Sequence, residues 1–231
     1  QRVEKALEEI KGKEKLPSLA KAVVDKEVST RLRAVEELSK LDSDEAVNLL
    51  LQRVIYDDVR EVRQESAKGL GRNSAKVVDS LVSLLESKNS KIRARSAQAL
   101  GEIKSLKAID SLIKALKDKD NNVRAQVAET LGKTKFAKAA GPLINLLDKD
   151  DNCDVREKAI EALGRIKSIE AVDPLINVLG KDKDCHIRYK IAEALGEIGS
   201  LSAEAAILKS LKDKDSKVRA SSALALGKIH S

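Results

Sequence analysis

The sequence is short of the residues that most enzyme chemistry requires. Among its 231 residues only Tyr56, Phe136 and Tyr189 are aromatic, histidine occurs only at His186 and His230, and there is no methionine. No GxSxG, phosphate-loop or HExxH motif is present, and neither histidine precedes a glutamate. Cysteine is limited to Cys153 and Cys185, with no CxxC spacing, whereas a structural zinc site usually takes four ligands. These absences leave no catalytic constellation: the chain is expected not to be an enzyme, and no cofactor or metal is assigned to it. Two unpaired cysteines suit a reducing compartment, so the expected location is cytoplasmic. No apolar run approaches the roughly 20 residues of a membrane-spanning helix. The opening QRVEKALEEI does not read as a signal peptide.

What the chain has instead is a period. In the stretch NSKIRARSAQALGEIKSLKAIDSLIKALKDKD, Asn89 to Asp120, the residues Ile92, Ala97, Leu100 and Ile103 fall on one face of a helix. Ala108, Ile109, Leu112, Ile113 and Leu116 then trace a second amphipathic run. The unit reads as helix, short turn, helix, and neither helix can bury its stripe alone, so copies must stack. Aligned arginines at Arg31, Arg63, Arg93, Arg124, Arg156, Arg188 and Arg219 are separated by 32, 30, 31, 32, 32 and 31 residues. Val or Ile precedes each except the first, where Thr30 stands, and Leu follows seven residues later in every copy. One residue further on is glycine, from Gly71 to Gly227, except for Ser39. A fixed period of this size marks a solenoid.

The pattern (V/I)RxxAxxALGxI, followed by an alanine-led second helix ending in LKDKD, resembles the short HEAT-like repeats of the phycobilisome-lyase type over roughly residues 25–231. The resemblance implies an all-α fold, a right-handed α-solenoid of about 31-residue helix pairs, and leaves function open because this repeat serves many roles. Bilin lyases carry the same scaffold, so a subunit of a lyase or related protein-modifying complex is one reading. Hydroxylases of the deoxyhypusine type hold iron on His-Glu pairs, which this chain lacks.

The expected layout is a single array over 1–231. Residues 1–26 form a degenerate N-terminal pair of helices (2–10 and 16–24), 27–215 form six helix pairs, and 216–231 form a first helix without its second. First helices are expected near 28–41, 59–73, 90–103, 121–134, 153–166, 184–198 and 216–229. Second helices are expected near 44–56, 76–87, 106–117, 138–148, 169–180 and 202–212, with Ser43 as an N-cap and Pro142 and Pro174 in first turns. The unmatched helix and the missing initiator methionine point to a segment of a longer protein. The glycine of each first helix could be a C-cap. Close packing is the preferred reading, because the apolar period continues past it to Ile103, Ile166, Ile198 and Ile229.

Net charge is +7 and the isoelectric point about 9.2. Much of that charge lies in mixed-sign loops such as Lys117-Asp118-Lys119-Asp120, which solvate a rim without building a one-signed field. The distribution therefore argues against nucleic acid, which stays the third reading. The arginines at the seven aligned positions are expected to be a structural ladder, with acidic partners just upstream at Asp120, Asp184 and Asp215. For function the second helices, which line the concave side in arrays of this kind, carry a polar ridge: Asn48, Gln52, Asp79, Ser83, Asp110, Lys114, Asn145, Asp173, Asn177 and Lys209. Asp148 and Lys212 extend it. Such a ridge suits a protein or peptide partner. Arg95, Gln126 and Lys158 are the matching outer-side positions.

Overall fold

The computed structural model describes residue 12, residues 14–71 and residues 74–230. The helix expected over 2–10 lies outside the described residues. The described residues build α1 (14–22), α2 (Val28–Ser39), α3 (Asp44–Tyr56), α4 (Arg60–Leu70), α5 (Ser74–Leu84), α6 (Ser90–Ile103) and α7 (Ile109–Ala115). They continue with α8 (Asn121–Thr134), α9 (Ala140–Lys149), α10 (Cys153–Ile166), α11 (Val172–Leu179), α12 (Cys185–Ile198), α13 (Glu204–Ser210) and α14 (Ser216–Ile229). Among the described residues there is no strand. The fold is an all-α solenoid of helix pairs.

From α6 onward each first helix starts where a short polar side chain satisfies its free amides, whereas α2 and α4 start without a side-chain cap. Asp120 Oδ1 accepts the amides of Asn122 and Val123 at 2.9 and 3.3 Å. Asn89, Asn152, Asp184 and Asp215 do the same for α6, α10, α12 and α14. Ser43 caps α3 through the amide of Ala46 at 3.1 Å. The recurrent glycine is itself the C-cap only of α4, at Gly71, whereas α6, α8, α10 and α12 run past theirs. Lys104, Lys135 and Lys167 take left-handed backbone at φ 54°, 56° and 58°, and Gly199 does so at 72°. The recurrent glycines of α8, α10 and α12 remain inside their helices. Second helices after α6 begin as 3-10 turns, at 106–108, 137–139, 169–171 and 201–203, and each turn closes on a fully buried alanine. Pro142 and Pro174 sit in the first turns of α9 and α11, where a missing amide costs least.

The packing divides the chain into two compact units, Gln1–Ala108 and Ile109–Ser231. In the first, α2, α4 and α6 pack in a row backed by α3 and α5. In the second, α8, α10, α12 and α14 form the row, backed by α7, α9, α11 and α13. The leucine seven residues after each arginine but the last closes the core: Leu38, Leu70, Leu100, Leu131, Leu163 and Leu195 are all 0–1% exposed, while Leu226 is half-buried. Each fully buried one contributes on the order of 2 kcal/mol.

Close approach explains three recurrent glycines of the second unit, Gly132, Gly164 and Gly196. A Cβ at Gly132 would lie 2.6 Å from Ala162 Cα, and one at Gly196 would lie 2.7 Å from Ala225 Cα. Neither distance is possible, so the first helices of this unit meet backbone to backbone. Among the second helices, α7 and α9 are parted by an open groove.

Candidate functional site

The arginines form two kinds of bond. One guanidinium nitrogen turns back onto the loop before its own helix. Arg31 Nη1 donates to the carbonyls of Asp25 and Lys26 at 2.9 and 3.1 Å, and Arg188 Nη1 to those of Asp182 and Lys183, both at 3.0 Å. Arg63, Arg93, Arg124 and Arg219 repeat this double contact, and Arg156 makes one part of it. The rest of the fork reaches the loop of the next repeat. Arg124 Nε and Nη2 donate to Asp150 at 2.6 and 2.8 Å, and Arg188 makes the same bidentate pair with Asp213 at 2.8 Å. Arg31 engages Asp57 and Asp58, and Arg156 Nη2 lies 3.7 Å from Asp182. Bidentate geometry of this kind is the strongest arginine–carboxylate contact.

The acidic partners differ from the expected ones. Asp184 and Asp215, like Asp120, sit at the N-caps, whereas the bidentate acceptors Asp150 and Asp213 stand six residues before the next arginine. Each acceptor is fixed in turn by a backbone amide two residues on, Asn152 or Asp215. Burial pushes the Asp150 carboxyl up, yet Arg124 and the Asn152 amide outweigh it and hold the group below the ordinary carboxylate range. Arg188 does the same for Asp213. Among the described residues Arg63 has no such acceptor. The equivalent position is Ser87, whose hydroxyl takes the amide of Asn89 but cannot serve as an anion. Arg63 Nε is buried without a hydrogen-bond partner, and burial, aided by nearby Arg95, lowers the pKa of its guanidinium.

All ten residues of the polar ridge are exposed. In the first unit Asn48 and Gln52 lie on α3, and Asp79 and Ser83 on α5. In the second, Asp110 and Lys114 lie on α7, Asn145 on α9, Asp173 and Asn177 on α11, and Lys209 on α13. Some of the charge is already matched. Lys107 Nζ lies 2.6 Å from Asp79, and Lys138 pairs with Asp110. Beside Asn145 the α7–α9 groove has a volume of about 610 Å³, with Ile113, Leu116, Pro142 and Leu146 in its wall and Lys117, Lys149 and Asp151 around it.

The first-helix face holds a charged cluster that the repeat pattern alone does not single out. Glu161 accepts from Lys158 at 3.0 Å on its own helix and from Lys190 at 2.9 Å on the next. Lys190 also lies 3.8 Å from Glu157 and 3.6 Å from Glu193, and His186 Nε2 lies 2.8 Å from Glu157. Burial works against ionised Glu161, but the two ammonium groups win and lower its pKa to about 2. The available signal was the recurrence of charge two and five residues after the aligned arginines. Arg95, Gln126 and Lys158 are half-buried rather than free outer positions: Arg95 Nη1 donates to the Ile55 carbonyl at 2.5 Å, and Lys158 belongs to this cluster. Among the described residues no group of three or more His, Cys, Asp or Glu side chains is arranged to hold a metal, and no helix is long and apolar enough to cross a membrane.

The profile of HEAT repeats matches residues 1–71, 78–152 and 140–227. The chain belongs to the HEAT-repeat family. No curated protein matches it in sequence. Among solved structures, the karyopherin Kap121p bound to the SUMO protease Ulp1p is similar, with a TM-score of 0.72 at 15% identity, over 94% of this chain and 29% of the karyopherin. The Escherichia coli protein YibA has a TM-score of 0.57 at 22% identity, over 96% of this chain and 84% of its own. An engineered protein has a TM-score of 0.52 at 22% identity, over 94% and 68%. These likenesses establish the HEAT-type solenoid fold.

Proposed function

We propose that this HEAT-repeat solenoid is a non-enzymatic scaffold that binds a protein or peptide through its second-helix face. One observation carries the reading: the α7–α9 groove joins an apolar wall of Ile113, Leu116, Pro142 and Leu146 to the exposed amide of Asn145 and charges of both signs. An apolar centre inside a polar rim is the usual anatomy of a protein interface. A phosphate backbone calls for a field of one sign, and here Asp118, Asp150 and Asp151 offset Lys117, Lys149 and Arg124. Kap121p, similar in fold, is itself a binder of proteins by the complex it forms with Ulp1p. Free Cys153 and Cys185 favour a reducing, cytoplasmic setting.

The test starts from affinity capture with the full chain. Replacing Asp110, Asn145 and Asn177 together by alanine is expected to weaken capture at least about tenfold, since contacts near an interface centre dominate its energy. All three are exposed, so the melting temperature should hold. Arg165, Glu193 and Glu197, exposed on the first-helix face, form the comparison set. Loss of capture in that set, with the ridge set silent, moves the site to the first helices. A binding constant that falls steeply with salt and is shared by unrelated nucleic acids overturns the protein reading.

A further inference from the structure

Three repeats hold a carboxylate in the same nest of three donors. The arginine offers Nε and Nη2, and the backbone amide two residues beyond the aspartate offers the third. Asp57 takes Arg31 Nε and Nη2 at 3.1 and 3.2 Å and the Val59 amide at 3.0 Å. Asp150 takes Arg124 at 2.6 and 2.8 Å and the Asn152 amide at 3.0 Å. Asp213 takes both nitrogens of Arg188 at 2.8 Å and the Asp215 amide at 2.9 Å.

The nest of Arg63 keeps the donors and lacks the carboxylate. Its Nη1 is fixed on the carbonyls of Asp57 and Asp58 at 3.0 and 2.9 Å, the same backbone clamp that sets the forks of Arg124 and Arg188. Among the described residues its Nε is buried without a partner and its Nη2 meets no carboxylate. Ser87 stands at the aspartate position, and its hydroxyl holds the Asn89 amide at only 3.3 Å. Arg63 and Ser87 both keep part of their surface in solvent, which gives a small ion a way in.

The surroundings favour negative charge. Arg95, with its Nη1 on the Ile55 carbonyl at 2.5 Å, lines one cleft with Arg63 between α4 and α6. Gln98 lines that cleft too, and among the described residues its Nε2 is also buried without a partner. Glu102 stands on the same wall but is bonded to neither arginine. Asp57 and Asp58 are already held by Arg31. Burial and then the Arg95 charge lower the pKa of Arg63, and an anion in the nest would relieve both.

We propose that Arg63 and the Ser87 loop form a binding site for a single oxyanion, a carboxylate or phosphate group that enters from solvent and sits where Asp57, Asp150 and Asp213 sit in their own loops. The planar fork of the guanidinium matches two oxygens of either group. The Asn89 amide supplies the third donor. No residue of the α7–α9 groove takes part.

The test is a titration of the full chain, read by nitrogen–proton NMR at the arginine Nε–H groups and the Asn89 amide. Sodium phosphate, sodium acetate and, as the control, sodium chloride are compared at one ionic strength, so that general screening is constant. The expected result is a saturable shift of Arg63 Nε–H and Asn89 N–H. Arg31, Arg124 and Arg188 should stay unmoved, because their forks are filled. Saturation by acetate identifies a carboxylate site and saturation by phosphate alone a phosphate site; either supports the inference. Ser87→Asp supplies the missing carboxylate from the chain itself and should weaken the response at least about tenfold. Arg63→Lys keeps the charge but loses the fork, and should weaken the Asn89 response by a similar factor. A shift that stays linear in salt, that chloride reproduces, or that survives both Ser87→Asp and Arg63→Lys overturns the site.

Discussion

In the second unit Arg124, Arg156 and Arg188 each face an aspartate of the following loop, whereas in the first unit the chain of pairs is interrupted at Arg63. The cause is a single residue, Ser87, where Asp118, Asp150, Asp182 and Asp213 stand in other loops. The glycines show the same contrast. Gly132 and Gly196 touch the next backbone, but a Cβ added to Gly71, at the end of α4, would have nothing within 4 Å. There the close contact falls two residues earlier, with Gly69 against Ser39 at 2.9 Å. The arginine spacing of 30 instead of 31 or 32 marks the same irregular region. A repeat signature is therefore a statement about neighbours: the same residue carries a large or a small energy according to what the adjacent copy supplies.

The largest break in this contrast should come from the glycines. Gly132→Leu forces a side chain into Ala162 and is expected to cost about 3 kcal/mol in denaturant unfolding, while Gly71→Ala should stay within about 0.5 kcal/mol. Equal costs would show that Gly132 is not at a helix–helix contact. Next come the arginines. Arg124→Ala is expected to cost about 1–3 kcal/mol through the unpaired Asp150 carboxylate, and Arg63→Ala less. Ser87→Asp should sharpen the point by stabilising the first unit by roughly 1 kcal/mol, a gain that disappears in the Arg63→Ala background. A Ser87→Asp gain that survives without Arg63 would refute the pairing.

Acid sensitivity should separate the units next. Glu161 is ionised more readily in the folded chain than in the unfolded one, so its contribution is complete above about pH 4.5 and is lost as pH falls toward about 2. With solvent screening the loss is about 1–2 kcal/mol. Glu161→Gln should flatten the stability profile across that window, and an unchanged slope would remove Glu161 from the acid response. The smallest effect concerns the left-handed lysines. Lys135→Gly should raise stability by about 0.5–1 kcal/mol, because glycine adopts φ near 56° without the Cβ penalty. The reverse change, Gly199→Lys, should lower it by a similar amount, measured as a shift in melting temperature.

Local rules made much of the fold legible. Apolar spacing located the helices, and the expected bounds at 44–56, 90–103, 121–134, 153–166 and 216–229 coincide with α3, α6, α8, α10 and α14. The ridge residues were readable as exposed because they fall between core positions on short amphipathic helices. Which carboxylate each arginine chooses was not readable. Asp120 and Asp118 are both near Arg124 in sequence, yet its bidentate partner is Asp150, 26 residues away.

The sequence by itself determined the period, the helix pairs, the buried leucines and the family, because these follow from side-chain spacing along one chain. Only the tertiary structure decided which row of helices is tight, where a groove opens beside Asn145, and which arginines are clamped. Those properties depend on distances of a few ångströms between residues about 25 to 32 positions apart. A glycine signals close approach only once a neighbouring backbone is there to approach, and an arginine signals a clamp only once the next loop presents its carboxylate.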